Sequence, residues 1–130
     1  MEAIENTTMN MPVLALRGLT VFPGCVLSFD VERGISIRAL ERAMEADQQI
    51  FLVAQREIST VQPGERDLYA VGTVSAVRQI LRIGEGAVRV MMEGLTRARL
   101  RRLWQADPYL QANVEPISER KARISDYQLE

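Results

Sequence analysis

The side chains that carry most enzyme chemistry are either missing from this 130-residue chain or stand alone. There is no histidine, which excludes serine–histidine and cysteine–histidine catalytic groups and any histidine metal site. The one lysine, Lys121, lies in a polar stretch where solvation keeps its ammonium protonated, and Cys25 has no predicted acid or base beside it. No Gly-Lys-Ser or Gly-Lys-Thr occurs, so a phosphate-binding loop of that type is missing. We therefore expect no catalytic, cofactor-binding or metal-binding residues in this chain.

Three arginines form the most regular charged pattern. Arg97, Arg99 and Arg101 alternate along a predicted strand, which places their guanidinium groups on one face. They are candidate contacts for an anionic partner, such as phosphates or an acidic peptide segment. A solvated face paired with nearby acids is the simpler interpretation, because nucleic-acid modules usually interleave aromatic rings for stacking and only Trp104 and Tyr109 lie near.

The composition is typical of a single soluble domain in a reducing compartment. Hydrophobic residues make up 47% of the chain, enough for one buried core, and the charged residues nearly cancel at a net charge of −1. A single cysteine permits no intramolecular disulfide. The polar start lacks the pattern of a signal peptide, and no apolar run reaches the roughly 20 residues of a transmembrane helix. We therefore expect a cytoplasmic protein without a membrane partner.

The periodicity of apolar residues predicts a mainly β domain with one helix. Apolar residues recur at helical spacing over residues 36–46, where Ser36 is the predicted N-cap. The continuous apolar run at residues 50–54 predicts a strand that is covered on both faces. Alternation and turn signals predict the other strands at residues 12–16, 26–31, 69–83, 87–94, 95–103 and 110–117.

A hairpin turn at Glu85-Gly86 predicts which side chains share a face. A two-residue turn places Ile83 opposite Val88 on a mostly apolar face, and Ile80 beside Met91 within a charged rim on the other face. Ile80 and Met91 are therefore candidate substrate contacts, since the flexible methionine side chain adapts to many shapes. A covering loop or helix would also account for them, because isolated outward apolar residues are common.

Two aromatic residues are further candidate substrate contacts. Phe22 precedes a Pro-Gly turn, and Trp104 follows the predicted strand at residues 95–103. Burial in the core is the favoured interpretation for both, because large aromatic side chains bury most of their area.

Six segments in succession resemble the start of Lon-type ATP-dependent proteases. Their order and spacing fit that family over residues 11–117, and six such matches are hard to obtain by chance. The segments are MPVLALR at residues 11–17, VFPG at 21–24, SIRALE at 36–41, VAQ at 53–55, DLYAVGTV at 67–74 and VMMEGLTRA at 90–98. The chain therefore resembles the N-terminal, substrate-recognition domain of Lon proteases.

The resemblance implies a fold, a domain division and a function. The implied fold is α+β and mainly β: a PUA-like pseudo-barrel of about six strands with one packed helix. The expected division is a flexible segment at residues 1–10, the barrel-like domain at 11–118, and a tail or the start of a truncated helical lobe at 119–130. The implied function is non-catalytic binding of unfolded or damaged proteins for degradation by an ATP-dependent serine endopeptidase. ATP and Mg are expected in that parent enzyme but no cofactor in this chain, and the implied partners are unfolded polypeptides and further copies in a hexamer.

Three other functions fit the sequence. An architectural module would pair with its copies to organise the hexamer. A PUA-like RNA-binding module is suggested by the implied fold and the arginine pattern, although fold analogy alone is weak evidence and nucleic acid is the less favoured partner. A free-standing Lon-domain adaptor also stays open, since no ATPase motif occurs in the sequence.

Overall fold

The fold is mainly β, with one α-helix against the sheet. The computed structural model describes residues 8–32 and 34–117. A short 3-10 helix (Glu65–Asp67) lies in the connection between the third and fourth strands. The main elements, in chain order, are β1 (Met9–Leu16), β2 (Val26–Val31), α1 (Gly34–Glu45), β3 (Gln49–Ala54), β4 (Val71–Gly84), β5 (Ala87–Gln105) and β6 (Gln111–Pro116).

Strand pairing closes most of the sheet into a ring. The strand order is β2-β5-β4-β3-β1-β6, and β6 also pairs with β5. β1 and β3 run parallel, whereas the other described pairs are antiparallel. β2 pairs with the first half of β5 and stands at the end of the order, outside the ring. The predicted barrel-like architecture of six strands with one helix is therefore confirmed.

Two apolar clusters fill the fold, and β3 contributes to both of them. Ile50 and Leu52 belong to the cluster that also contains Leu40 of α1. Phe51 and Val53 belong to a second cluster, which the strands of the ring build together. These four side chains of β3 are each at most 2% exposed. Burial of each one stabilises the fold by about 1.5–3 kcal/mol. The prediction that this strand is covered on both faces is confirmed.

Helix α1 begins two residues earlier than predicted. It starts at Gly34, so Ser36 lies inside its first turn and is buried. The buried stripe consists of Ser36, Ala39, Leu40 and Ala43, which share one face of a helix and contact β1 and β3. The predicted N-cap role of Ser36 is therefore wrong. A small hydroxyl side chain fits a close helix–sheet contact as well as it fits a cap.

Strand β5 is one continuous element rather than the two predicted strands. β4 and β5 form the predicted hairpin around Glu85-Gly86, where Gly86 has a φ of +74° that favours glycine. β5 then runs for 19 residues to Gln105. The predicted break after residue 94 is wrong, because Leu95 is the extra residue of a β-bulge that bends the strand without ending it.

The first strand is longer than the sequence pattern predicts. β1 begins at Met9, and Pro12 is buried within it rather than standing at its start. The next residue, Val13, donates its N–H to the carbonyl oxygen of Leu110 at 2.9 Å, so the chain stays paired beside the proline. The expected flexible segment at residues 1–10 overlaps β1 at Met9 and Asn10, whereas its residues 1–7 and the expected tail at 119–130 lie outside the described residues.

Candidate functional site

The predicted contacts Ile80 and Met91 do not form a shared patch. A β-bulge at Ile83 shifts the register of the hairpin, so that Ile80 lies opposite Val90 and Met91 lies opposite Gln79. Ile80 is consequently partly buried against the cluster that contains α1. The predicted register is wrong because it assumed unbroken pairing from the turn, and a bulge exchanges the two faces of a strand.

The bulge turns two other apolar side chains towards solvent. Leu81 is 52% exposed and Ile83 is 42% exposed. Both lie near the tip of the β4–β5 hairpin, beyond the part of β4 that pairs with β3.

Phe22 and Trp104 are exposed, so the favoured core placement is wrong for both. The exposed fraction is 50% for Phe22 and 45% for Trp104. Phe22 lines a groove in the surface, whereas Trp104 lies near the end of β5 and is not among the groove residues.

The three alternating arginines are all exposed, but their surroundings differ. Arg101 forms an ion pair with Glu115, with 3.5 Å between Nη1 and Oε1. The pairing of β5 with β6 shifts at this point, which interrupts the regular ladder. Arg97 lines the same groove as Phe22, and Arg99 lies opposite Val71 of β4.

The groove brings together apolar side chains from three parts of the chain. Its volume is about 590 Å³, within the range of typical ligand-binding pockets. Phe22 lies before β2, Tyr69 (46% exposed) lies two residues before β4, and Val71 (37% exposed) is the first residue of β4. The buried residues Leu16 and Leu52 also line it. The groove, lined by two exposed aromatic residues, can therefore receive apolar side chains of a peptide.

The segment that carries Phe22 is fixed tightly to β5. Pro23-Gly24 forms a turn in which the Cys25 N–H donates to the Phe22 carbonyl at 3.0 Å, and Gly24 has a φ of +86°. The N–H of Gly24 donates to the carbonyl of Gly94 at 2.9 Å, and the N–H of Gly94 donates to the carbonyl of Cys25 at 2.8 Å. A Cβ atom on Gly94 would lie 2.2 Å from the carbonyl oxygen of Phe22. This approach therefore requires glycine at position 94.

A second attachment joins the same segment to β4. The hydroxyl of Thr73 donates to the carbonyl oxygen of Val21 at 2.6 Å, and both residues are buried. At the neighbouring Gly72, an added Cβ would lie 2.4 Å from the carbonyl oxygen of Leu52. The base of the groove is thus built from close backbone contacts, which resist deformation.

A buried glutamine, Gln55, lies in the chain between the groove residues Ala54 and Arg56. Gln55 is 4% exposed, and its Nε2 donates to two carbonyl oxygens of the loop that follows, each at 3.0 Å. Next to it, the N–H of Tyr69 donates to the carbonyl of Ala54 at 3.1 Å. The guanidinium carbon of Arg56 then lies 4.9 Å from the centre of the Tyr69 ring, within cation–π range. Tyr69 is held at the surface with Arg56 beside it.

The charges that line the groove are positive. Arg56 and Arg97 are among the lining residues, which include no aspartate or glutamate from the described part of the chain. Elsewhere, Arg89 on β5 donates to Asp30 on β2, with 2.8 Å between Nε and Oδ1. That hydrogen bond holds the pKa of Asp30 below its ordinary value of 3.8.

This arrangement suits binding. Apolar surface, aromatic rings and guanidinium groups hold peptides by burial and by charge-assisted hydrogen bonds. Across residues 8–32 and 34–117, no group of three or more His, Cys, Asp or Glu side chains could hold a metal ion. Over the same ranges, no helix is long and apolar enough to cross a membrane.

Sequence reasoning missed Tyr69, Val71 and Arg56 as site residues. They line the same groove as Phe22 because β4 pairs with β3 and β5. No pattern of neighbouring residues in the sequence predicts that these side chains lie in one groove. A usable signal does exist in the sequence: Gly72 and Gly94 interrupt strand patterns, and a glycine inside a strand often marks the close approach of another backbone.

A family model described as "ATP-dependent protease La (LON) substrate-binding domain" matches residues 10–130. The Lon protease of Syntrophomonas wolfei is 44% identical over 119 residues, which are 92% of this chain and 15% of that protein. The Lon protease of Clostridioides difficile is 42% identical over 107 residues, which are 82% of this chain and 14% of that protein. The chain thus spans about one-seventh of the length of these curated relatives.

Two solved structures share the fold. The N-terminal domain of a Mycobacterium avium complex Lon protease has a TM-score of 0.68 at 20% identity, covering 85% of this chain and 56% of that one. A Lon N-terminal domain protein from Xanthomonas campestris has a TM-score of 0.65 at 14% identity, covering 85% of this chain and 60% of that one. At these identities the likeness supports the architecture alone.

Proposed function

We propose that this chain, which belongs to the family of Lon protease substrate-binding domains, captures unfolded polypeptide segments in the groove beside Phe22. The observation that carries the proposal is the grouping of Phe22, Tyr69 and Val71, three exposed apolar side chains, around one cavity. Contiguous exposed apolar surface on a folded domain marks an interaction site more often than scattered apolar residues do.

The physical basis of capture is the availability of apolar side chains in the partner. A folded protein keeps most of its large apolar side chains inside, whereas an unfolded chain presents them to solvent. Each square ångström of apolar surface that the groove removes from water stabilises the complex by about 25 cal/mol. The groove therefore discriminates the folding state of the partner rather than one particular sequence.

The parent protein is proposed from the relatives. Those relatives are named Lon proteases, and the chain aligns with only 14–15% of their length. We place this domain as a non-catalytic part of an ATP-dependent serine endopeptidase in the cytoplasm. ATP and Mg would bind to other domains of that enzyme, and copies of the parent chain would assemble into a hexamer.

The test is a binding comparison with the 130-residue chain. Its affinity for a chemically unfolded model protein is measured against its affinity for the folded form of the same protein, and the measurement is repeated with Phe22→Ser. Trp104→Ser is the matched control, because Trp104 is an aromatic residue of similar exposure that does not line the groove. Loss of a central aromatic contact of about 1–2 kcal/mol would weaken binding about 5- to 30-fold.

The expected result is preferential binding to the unfolded form, which Phe22→Ser weakens and Trp104→Ser leaves unchanged. Equal affinity for both forms of the model protein would contradict capture of unfolded chains. If Trp104→Ser weakens binding to the unfolded model protein and Phe22→Ser does not, the contact surface lies at the end of β5 rather than in the groove.

A further inference from the structure

The groove carries positive charge in a chain whose net charge is −1. Arg56 follows β3 by two residues and Arg97 lies on β5, and these two strands flank β4 in the sheet. Arg99 lies next to them, because it pairs with the groove residue Val71 and paired residues share a face of the sheet. Three guanidinium groups are therefore grouped at this surface.

Three arginines of the sheet already pair with carboxylates, whereas, among the described residues, the two that line the groove do not. Along β4 and β5, the guanidinium groups of Arg78, Arg89 and Arg101 each form an ion pair, at 2.7, 2.8 and 3.5 Å. Arg56 and Arg97 form no ion pair with any residue in 8–32 or 34–117. Their charges remain available to a partner.

The placement of Arg56 leaves its hydrogen-bonding edge usable. The guanidinium carbon lies over the Tyr69 ring, 4.9 Å from its centre. This cation–π attraction acts between the charge and the ring and needs no oxygen acceptor, so the N–H donors of Arg56 can still bind the planar carboxylate of a partner. The ring also restricts the motion of the arginine, so less side-chain entropy is lost when a carboxylate binds.

We propose that the groove selects extended segments in which aspartate or glutamate side chains flank a short apolar run. The apolar side chains enter between Phe22 and Tyr69, and the carboxylates accept hydrogen bonds from Arg56 and Arg97. The inference rests on the proposed capture of unfolded segments and adds a charge preference to it.

The test uses three synthetic peptides that share one apolar run of leucine and phenylalanine. Glutamate, glutamine or lysine occupies one position on each side of the run. Every peptide is acetylated and amidated, so the terminal carboxylate contributes nothing. Dissociation constants are measured by fluorescence anisotropy with the 130-residue chain at low salt, and again in about 0.5 M salt, where exposed charges are largely screened.

The glutamate peptide is expected to bind about 4- to 25-fold more tightly than the glutamine peptide, because each of the two exposed charge pairs contributes about two- to fivefold. The lysine peptide should bind more weakly than both. The preference should vanish in high salt and in the double variant Arg56→Gln with Arg97→Gln. It should survive in Arg38→Gln, which removes the same kind of exposed charge from α1, outside the groove.

The outcomes separate this inference from the proposed function. Equal binding of all three peptides, still weakened by Phe22→Ser, overturns the charge preference and leaves capture standing. A glutamate preference that persists in the double variant overturns the assignment to Arg56 and Arg97. If no peptide binds, and unfolded protein binds no better than folded protein, capture and charge preference both fall.

Discussion

The close contact at Gly94 gives the sharpest test of how the groove is built. In Gly94→Ala, the new methyl group would lie 2.2 Å from the carbonyl oxygen of Phe22, 2.8 Å from its carbonyl carbon and 3.3 Å from the Cα of Pro23. All three atoms belong to the backbone, so no side-chain rotation can relieve the overlap. The turn must move away from β5 for the alanine to fit.

The cost follows from what that movement breaks. Two backbone hydrogen bonds join the turn to Gly94, at 2.9 and 2.8 Å, and each contributes about 1 kcal/mol. Residual overpacking adds about 1–3 kcal/mol. The free energy of unfolding should therefore fall by about 3–5 kcal/mol, which for a chain of this length lowers the melting temperature by roughly 15 °C.

The assay is thermal unfolding followed by circular dichroism, with Gly84→Ala as the matched control. An added Cβ at Gly84 has no atom within 4 Å, so this variant should melt close to the parent protein. Amide hydrogen exchange provides a second readout, because detachment of the turn alone would speed exchange at Gly24 and Gly94. A Gly94→Ala protein with a melting temperature within about 2 °C of the parent and unchanged exchange at both amides would refute the reasoning.

Two further changes test the second attachment and the main ion pair outside the groove. Thr73→Val leaves the buried carbonyl of Val21 without its donor and should lower the free energy of unfolding, measured by urea denaturation, by about 1–3 kcal/mol. Thr96→Val is the control and should have little effect, because the Thr96 hydroxyl makes only long contacts of 3.4–3.5 Å. The hydrogen bond from Arg89 lowers the pKa of Asp30 in the folded state below 3.8, its ordinary value in the unfolded state. The ion pair therefore stabilises the fold fully above pH 3.8, and this stabilisation is lost as the pH falls through the lowered pKa of the folded state. The difference in melting temperature between the parent protein and Asp30→Asn should therefore be present at pH 7 and shrink below pH 3.8; a difference that grows on acidification would contradict the assignment.

The sequence predicted those parts of the fold that short-range patterns control. The continuous apolar run at residues 50–54 identified the strand buried on both faces, and Glu85-Gly86 identified the hairpin turn. Both signals depend only on neighbouring residues. The register of the hairpin could not be predicted in this way, because the alternation of apolar and polar residues carries no signal for the bulge that skips Ile83 in the pairing.

The site was harder to predict than the fold. Phe22 was identified as a candidate contact, but the general tendency of aromatic residues to be buried favoured the core. Phe22 departs from that tendency because the Pro-Gly turn and its hydrogen bonds to Gly94 fix the backbone in a position that leaves the side chain half exposed. Tyr69 reaches the groove through pairing partners distant in sequence, which only the assembled sheet specifies.

Closure of the ring also affects whether other chains can pair with the edges of the sheet. The unpaired N–H and C=O groups of a partly unfolded chain readily hydrogen-bond to the edge strand of an open sheet. Pairing of this kind is one route to aggregation. Here β6 bonds to both β1 and β5, so the strands of the ring satisfy many of their N–H and C=O groups among themselves. The strand at the end of the order, β2, is six residues long and carries Asp30, a charge that discourages further pairing. In the proposed capture, the bound segment would be held by its side chains, without adding a strand that would join the domain and its substrate in one aggregate.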